Sequence, residues 1–189
     1  SIAGTLGRLK GGAMKIGQML SVQSEFLPAE LADALAVLQN SAPPIEFASI
    51  QAQIEKGPGL AAFSTIDPEP YRAASIGQVH RATLRDGRPV IVKVQYPDIA
   101  RIVKTDLENL RFLFRGILTM ISAVDFDSVW HEIKARLEEE LDYETEIRNA
   151  QRFADLYRDH PDVYVPEVFP ELSSREVLTM EFVPGHSLE

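Results

Sequence analysis

Residues 78–95 read Gln78-Val79-His80-Arg81-Ala82-Thr83-Leu84, then Arg85-Asp86-Gly87-Arg88, then Pro89-Val90-Ile91-Val92-Lys93-Val94-Gln95. β-Branched residues recur on both sides, and an Asp-Gly pair suits the positive φ angles of a tight hairpin turn. The spacing therefore predicts a hairpin of strands 78–84 and 89–95. Toward the amino terminus, Lys56-Gly57-Pro58-Gly59 is a breaker that separates this β-rich part from a helical one. There, Leu6, Leu9, Ala13, Ile16 and Leu20 recur at three- and four-residue steps and predict a helix over 5–24. Gly7, Gly11, Gly12 and Gly17 lie inside it. Each costs about 1 kcal/mol relative to alanine, which implies close approach of this helix to something else. Pro28 can open a second helix to about Leu38, and after Ala42-Pro43-Pro44 a third is expected from Phe47 to about Glu55. Toward the carboxy terminus, Ile99, Ile102, Val103, Leu107, Leu110 and Phe114 mark a helix reaching about Met120. A further helical stretch, broken or bent, is expected over about Ser128 to Tyr157, and strands over Val165–Phe169 and Glu176–Met180.

The chain has 189 residues, 45% hydrophobic and 25% charged, with a formal net charge of -9. That length can bury the core of one domain or of one domain with a helical extension. Zero cysteines exclude disulfide scaffolding and thiolate metal sites. The acidic balance argues against a nucleic-acid partner, because phosphate neutralisation needs concentrated Lys and Arg. No run of eighteen apolar residues is present, so no membrane-spanning helix is expected. Ser1-Ile2-Ala3 carries neither an initiator Met nor a signal pattern, as expected of a piece of a longer chain.

Four pieces bear chemistry. Lys93 interrupts the apolar run Val90-Ile91-Val92-Lys93-Val94, and a charge in such a strand needs an anion or solvent beside it. A solvent-facing edge lysine and a phosphate-binding lysine of the protein-kinase kind both fit. Arg72-Ala73-Ala74-Ser75-Ile76-Gly77 leads into the hairpin, where a kinase would carry a glycine-rich phosphate loop. It has one glycine and reads equally as a plain turn of small residues, while the absence of Gly-Lys-Ser/Thr excludes a P-loop ATPase. Glu138 to Glu146 holds six carboxylates in nine residues and no base, so the other 180 residues carry only -3. On one helix Glu138, Asp142 and Glu146 would form a like-charge stripe, for which Lys93 is an available cation. Pairs such as Glu132 with Arg136 and Glu144 with Arg148 would instead make it a solvated face. Glu140 and Asp142 lie about 200° apart on a regular helix, which predicts two separate roles or a bend between them. Finally, Lys15 and Gln18 share a helix face with Gly17 beside them, as an exposed face or as part of a site.

In this order and register the four pieces resemble the UbiB/ADCK family of protein-kinase-like proteins. Its Lys-x-Gly-Gln signature is met by Lys15, Gly17 and Gln18. Its alanine-rich loop, Ala-Ala-Ala-Ser-Ile-Gly-Gln-Val-His, is met from Ala73 to His80 with Arg72 in place of the first alanine, and its Glu-x-Asp by Glu140 and Asp142. The resemblance implies an α+β fold. A protein-kinase-like amino-terminal lobe of about five antiparallel strands with a C-type helix would occupy 59–189 and end at the hinge. A helical extension would occupy 1–58, with the carboxy-terminal lobe absent.

The resemblance also implies site roles. Lys93 and Glu146 would be the catalytic ion pair that sets Lys93 on nucleotide phosphates. Ala73, Ala74, Ser75, Ile76 and Val79 would line the nucleotide, Met180 would be the gatekeeper, and main-chain groups of Glu181 and Val183 in the hinge would bind adenine. Lys15, Gly17 and Gln18, with Glu140 and Asp142, would form a regulatory lid over the pocket. The cofactor implied is ATP or ADP with Mg²⁺, whose ligands would belong to a second lobe, leaving no metal site in these residues. The implied protein is an atypical kinase or ATPase supporting isoprenoid-quinone (ubiquinone-like) biosynthesis or lipid homeostasis, not competent through this half alone. A lipid or a quinone-pathway protein would be its further partner, and a cytoplasmic or membrane-associated location is expected. The alternative is a catalytically silent kinase-like scaffold that binds a lipid or a protein.

Overall fold

The Asp86-Gly87 turn forms as its chemistry demands. In the computed structural model Gly87 has φ 89°, and the Leu84 amide donates to the Arg88 carbonyl at 2.9 Å. The Asp86 carboxylate accepts from the Arg88 amide at 3.0 Å, which holds its carboxyl below the usual range. The structure describes residues 45–74, 76–105, 108, 111 and 126–185; the helices expected over 5–24 and 28–38 lie outside them. The described residues fall into two compact units, residues 45–97 with 141–185 and residues 98–140.

The first unit is built on the hairpin. Strand β1 (Phe63–Ile66), β2 (Arg72–Ala73), β3 (Gly77–Leu84), β4 (Pro89–Gln95) and β5 (Val177–Glu181) form an antiparallel five-stranded sheet in the order β1-β3-β4-β5, with β2 following β1 along the same edge of β3. The hairpin ends agree with the sequence expectation to within one residue. Val165–Phe169, expected as a strand, is extended chain with a single bridge from Val168 to Met180. The Glu167 amide that faces β5 is taken by the Glu181 carboxylate at 3.1 Å, and Pro170 opens a 3₁₀ turn, so pairing does not extend past the bridge.

The two faces of the sheet differ. Val90, Val92 and Val94 alternate onto one face and pack with Ala82, Leu84, Phe63, Phe169 and Val177. Helix α1 (Phe47–Lys56) covers that face with Ile50 and Ile54, both fully buried, so it belongs to the core of the sheet. Burial of each such side chain contributes about 1.5–3 kcal/mol. Of the polar residues inside, His80 is fully buried between the Asp67 carbonyl (2.8 Å) and the Gln78 side chain (3.3 Å).

In the second unit, residues 99–105 are helical, and α2 spans Phe126–Glu140. The chain then re-enters the first unit, where α3 spans Tyr143–Leu156 and packs against β5. The bend expected within 128–157 therefore falls at Leu141-Asp142. Glu138 is separated by it from Asp142 and Glu146, so the continuous like-charge stripe that one helix would have made does not form.

Candidate functional site

Lys93 lies between core residues Val92 and Val94, so the two-residue period of a strand turns its side chain to the opposite face. In register there, Val79 and Leu178 flank Lys93, and the neighbouring row is Arg81, Ile91 and Met180. The result is a strip of apolar side chains into which the Lys93 ammonium and the Arg81 guanidinium are set.

Helix α3 supplies the anion. Asp142 is its N-cap, in extended conformation, and its carboxylate accepts from the Glu144 amide at 3.0 Å. The Tyr143 amide donates outside the helix to the Arg175 carbonyl at 3.0 Å, which ties the first turn of α3 to the chain entering β5. One turn on, both Glu146 carboxylate oxygens accept from Lys93 Nζ, at 2.9 and 2.8 Å. The Lys93 side chain is 27% exposed and that of Glu146 45%. At that exposure the pair is worth at most about 1 kcal/mol to stability, so its effect is on where the ammonium sits. The Tyr143 ring, 1% exposed, lies with its centroid 4.7 Å from the same Nζ. The solvent-edge alternative for Lys93 is thus displaced: β4 is an inner strand and its lysine is paired.

The turn before β3 is tight. Ala73 pairs with Gln78, the Ala74 amide donates to the Gly77 carbonyl at 2.9 Å, and the Ile76 carbonyl accepts from the Tyr96 amide at 2.9 Å. Ile76 is buried, Val79 half-buried, Ala73 exposed, and Ser75 lies outside the described residues. Arg72 is exposed, with its guanidinium 5.8 Å from the centre of the Tyr71 ring. At the far end of the strip, the Glu181 carboxylate accepts from the Tyr164 hydroxyl at 2.8 and 2.6 Å and from the Glu167 amide at 3.1 Å. Its side chain is therefore engaged, its amide donates to the Glu167 carbonyl at 2.8 Å, and any contact of Glu181 with a ligand falls to its main-chain carbonyl. Val183 is exposed.

Lys15, Gly17 and Gln18 lie outside the described residues. Glu140 is the half-buried last residue of α2, and Asp142 acts as a helix cap. The remaining acids make surface pairs, Lys134 with Glu138 at 3.7 Å, Arg136 with Glu139 at 3.9 Å and Arg148 with Glu144 at 4.0 Å. Among the described residues no group of three His, Cys, Asp or Glu could hold a metal, and no helix is long and apolar enough to cross a membrane.

Two arrangements escaped the sequence reading. Tyr143 under Lys93 was signalled by its spacing, three residues before Glu146 and so on one helix face with it. The Arg81 guanidinium lies 4.1 Å from the Tyr71 ring centroid and 4.8 Å from that of Phe182, and the two rings meet edge-on at 6.0 Å. No local pattern announces that stack, because three separate segments make it.

Comparison with known proteins gives one answer. Residues 37–189 match the model of the ABC1 atypical kinase-like domain. The chain is 38% identical over 192 residues to the mitochondrial atypical kinase coq-8 of Caenorhabditis elegans, covering all of this chain and 25% of that protein. It is 36% identical to the mitochondrial atypical kinase COQ8 of Saccharomyces cerevisiae (97% of this chain, 38% of that protein). It is 40% identical to the chloroplastic protein ACTIVITY OF BC1 COMPLEX KINASE 3 of Arabidopsis thaliana (96% and 26%). The chain thus spans well under half the length of these relatives. Among solved structures, Rv3197 of Mycobacterium tuberculosis, in complex with erythromycin, superposes with a TM-score of 0.64 at 38% identity over 96% of this chain and 47% of that one.

Proposed function

The chain belongs to the ABC1 atypical kinase-like family, and from that premise we propose that its open sheet face is the nucleotide-binding half of an ATP-dependent atypical kinase or ATPase. The observation that carries this is the Lys93–Glu146 pair at 2.8 Å, set at one end of an apolar strip. A nucleotide has matching chemistry, an apolar base joined to a polyanion. Lys93 would hold the α- and β-phosphates, with Glu146 fixing its ammonium. Val79, Ile91 and Met180 would contact the base, Ala73 to Ile76 would bound the phosphates, and main-chain groups of Glu181 and Val183 would bind the base edge. Mg²⁺, when bound, would neutralise developing phosphate charge, and its ligands would come from a second lobe. Lys15, Gly17, Gln18, Glu140 and Asp142 would regulate access. The names of the COQ8 relatives support quinone biosynthesis as the setting, with a lipid or a protein of that pathway as partner.

The test is titration of ATP and ADP, with and without Mg²⁺, into the chain joined to the second lobe that the proposal requires, and into its Lys93→Ala variant. Loss of the lysine should weaken binding at least tenfold, since a charge-assisted hydrogen bond to phosphate is worth about 1.5–3 kcal/mol. Equal affinities would remove Lys93 from the site, and no nucleotide binding by either protein would favour the silent scaffold.

A further inference from the structure

Glu146 cannot by itself account for how Lys93 is held. Its carboxylate is 45% exposed, and an ion pair that open to solvent is weak and is screened by salt. The Tyr143 ring has the opposite properties. It is 1% exposed, its residue opens α3, and its amide is bonded to the Arg175 carbonyl at 3.0 Å, so its backbone is tied down and its ring is enclosed. Its centroid lies 4.7 Å from Lys93 Nζ, within the range in which a ring quadrupole attracts a cation.

From this geometry we infer that Tyr143 is a positioning residue for Lys93, a buried ring seat that holds the ammonium in place while leaving its charge available to phosphate. The inference rests on the nucleotide reading only for its purpose; the contact itself is independent of any ligand. The division of labour follows from chemistry. A carboxylate holds an ammonium by neutralising it, and in doing so competes with an incoming phosphate for the same three N–H donors. A ring attracts the ammonium without accepting a strong hydrogen bond, so the donors can pass from Glu146 to phosphate oxygens while the seat persists. The ring acts through its face, so the phenyl ring of Tyr143→Phe should serve as well as the phenol.

The experiment uses the 189-residue chain with side-chain-labelled lysine, read by NMR. The Lys93 ε-methylene protons should be shifted upfield by the Tyr143 ring, should stay so in high salt, where the Glu146 pair is screened, and should keep the shift in Tyr143→Phe. In Tyr143→Leu the shift should vanish. Lys93 signals in the wild-type chain at the position of an unstacked lysine would overturn the inference, even if every variant failed to fold. ADP titration, into the chain joined to its second lobe, supplies the second readout. Tyr143→Leu should weaken ADP by about three- to fivefold, from the size of a partly exposed cation–π contact, with Tyr143→Phe restoring wild-type affinity. Equal ADP affinity in Leu and Phe variants that both fold would also count against the seat. Failure of the two-lobed wild-type protein to bind ADP, with the upfield shift present, would fault the nucleotide reading and leave the ring seat standing.

Discussion

Replacing Gly77 by alanine tests the packing of the turn that precedes β3. Gly77 opposes Gln95 at the end of the β3–β4 ladder. A Cβ built there would lie 2.1 Å from the Val94 carbonyl oxygen, 2.9 Å from its carbon and 3.0 Å from Gln95 Cα. All three are main-chain atoms, so no side chain can rotate out of the way. Ordinary contact lies near 3.5 Å, and relief therefore requires the strands to part by about an ångström. That would break or stretch the Ala74–Gly77 and Tyr96–Ile76 hydrogen bonds, each 2.9 Å long. Two such bonds at about 1 kcal/mol each, with overpacking strain of about 1–3 kcal/mol, give a loss of about 3–5 kcal/mol. Gly87→Ala is the control. Its φ of 89° disfavours a side chain, yet nothing lies within 4 Å of the new Cβ, so its loss should be about 1–2 kcal/mol. Urea unfolding of both variants measures the two losses. A Gly77→Ala loss no larger than that of Gly87→Ala would refute the close approach, and with it the account of why this turn is pinned to β4.

Asp142→Ala should cost about 0.5–2 kcal/mol in the same unfolding assay through loss of the α3 cap, whereas Asp142→Asn, which caps equally well, should be near wild type. If Asp142 also governs the nucleotide site, Asp142→Asn will alter nucleotide affinity at unchanged stability; unchanged affinity confines Asp142 to capping. The hydrogen bond to Glu181 holds the Tyr164 phenol above the usual value of 10.0. Because the folded value is the raised one, the stabilisation from this contact is complete below that ordinary value and disappears as pH rises through the folded one. Phenolate absorbance during alkaline titration should therefore show a tyrosine that ionises earlier in Glu181→Gln than in the wild-type chain, and coincident curves would contradict the contact.

How much of this could be read in advance depends on the range over which each feature is encoded. The β3–β4 hairpin is local: Asp86-Gly87 sets the turn and the alternation of valines sets the buried face, and the structure follows both. The Lys93–Glu146 partnership spans 53 residues and is not local, yet an ammonium in an apolar strand demanded an anion and one acidic run was there to supply it. Val165–Phe169 failed as a strand because the Glu181 carboxylate takes the Glu167 amide and Pro170 opens a turn, contacts that apolar content does not display. β2, two residues long, has too few positions for a period to show. The Tyr71–Arg81–Phe182 stack depends on three segments meeting and has no sequence period at all.

The break at Leu141-Asp142 links the acidic run to the lysine. Were the helix continuous from α2 into α3, the Tyr143 amide would bond the Glu139 carbonyl four residues back. It bonds the Arg175 carbonyl instead, and Asp142 caps the new helix by accepting from the Glu144 amide. The phase of α3 is thereby set by the chain entering β5 and not by the helix before it. With that phase fixed, Tyr143 and Glu146, three residues apart on one face, both meet Lys93. Two carboxylates two positions apart had called for separate roles or a bend. The bend supplies both, since it spends Asp142 on restarting the helix and so brings Glu146, one turn later, to the lysine.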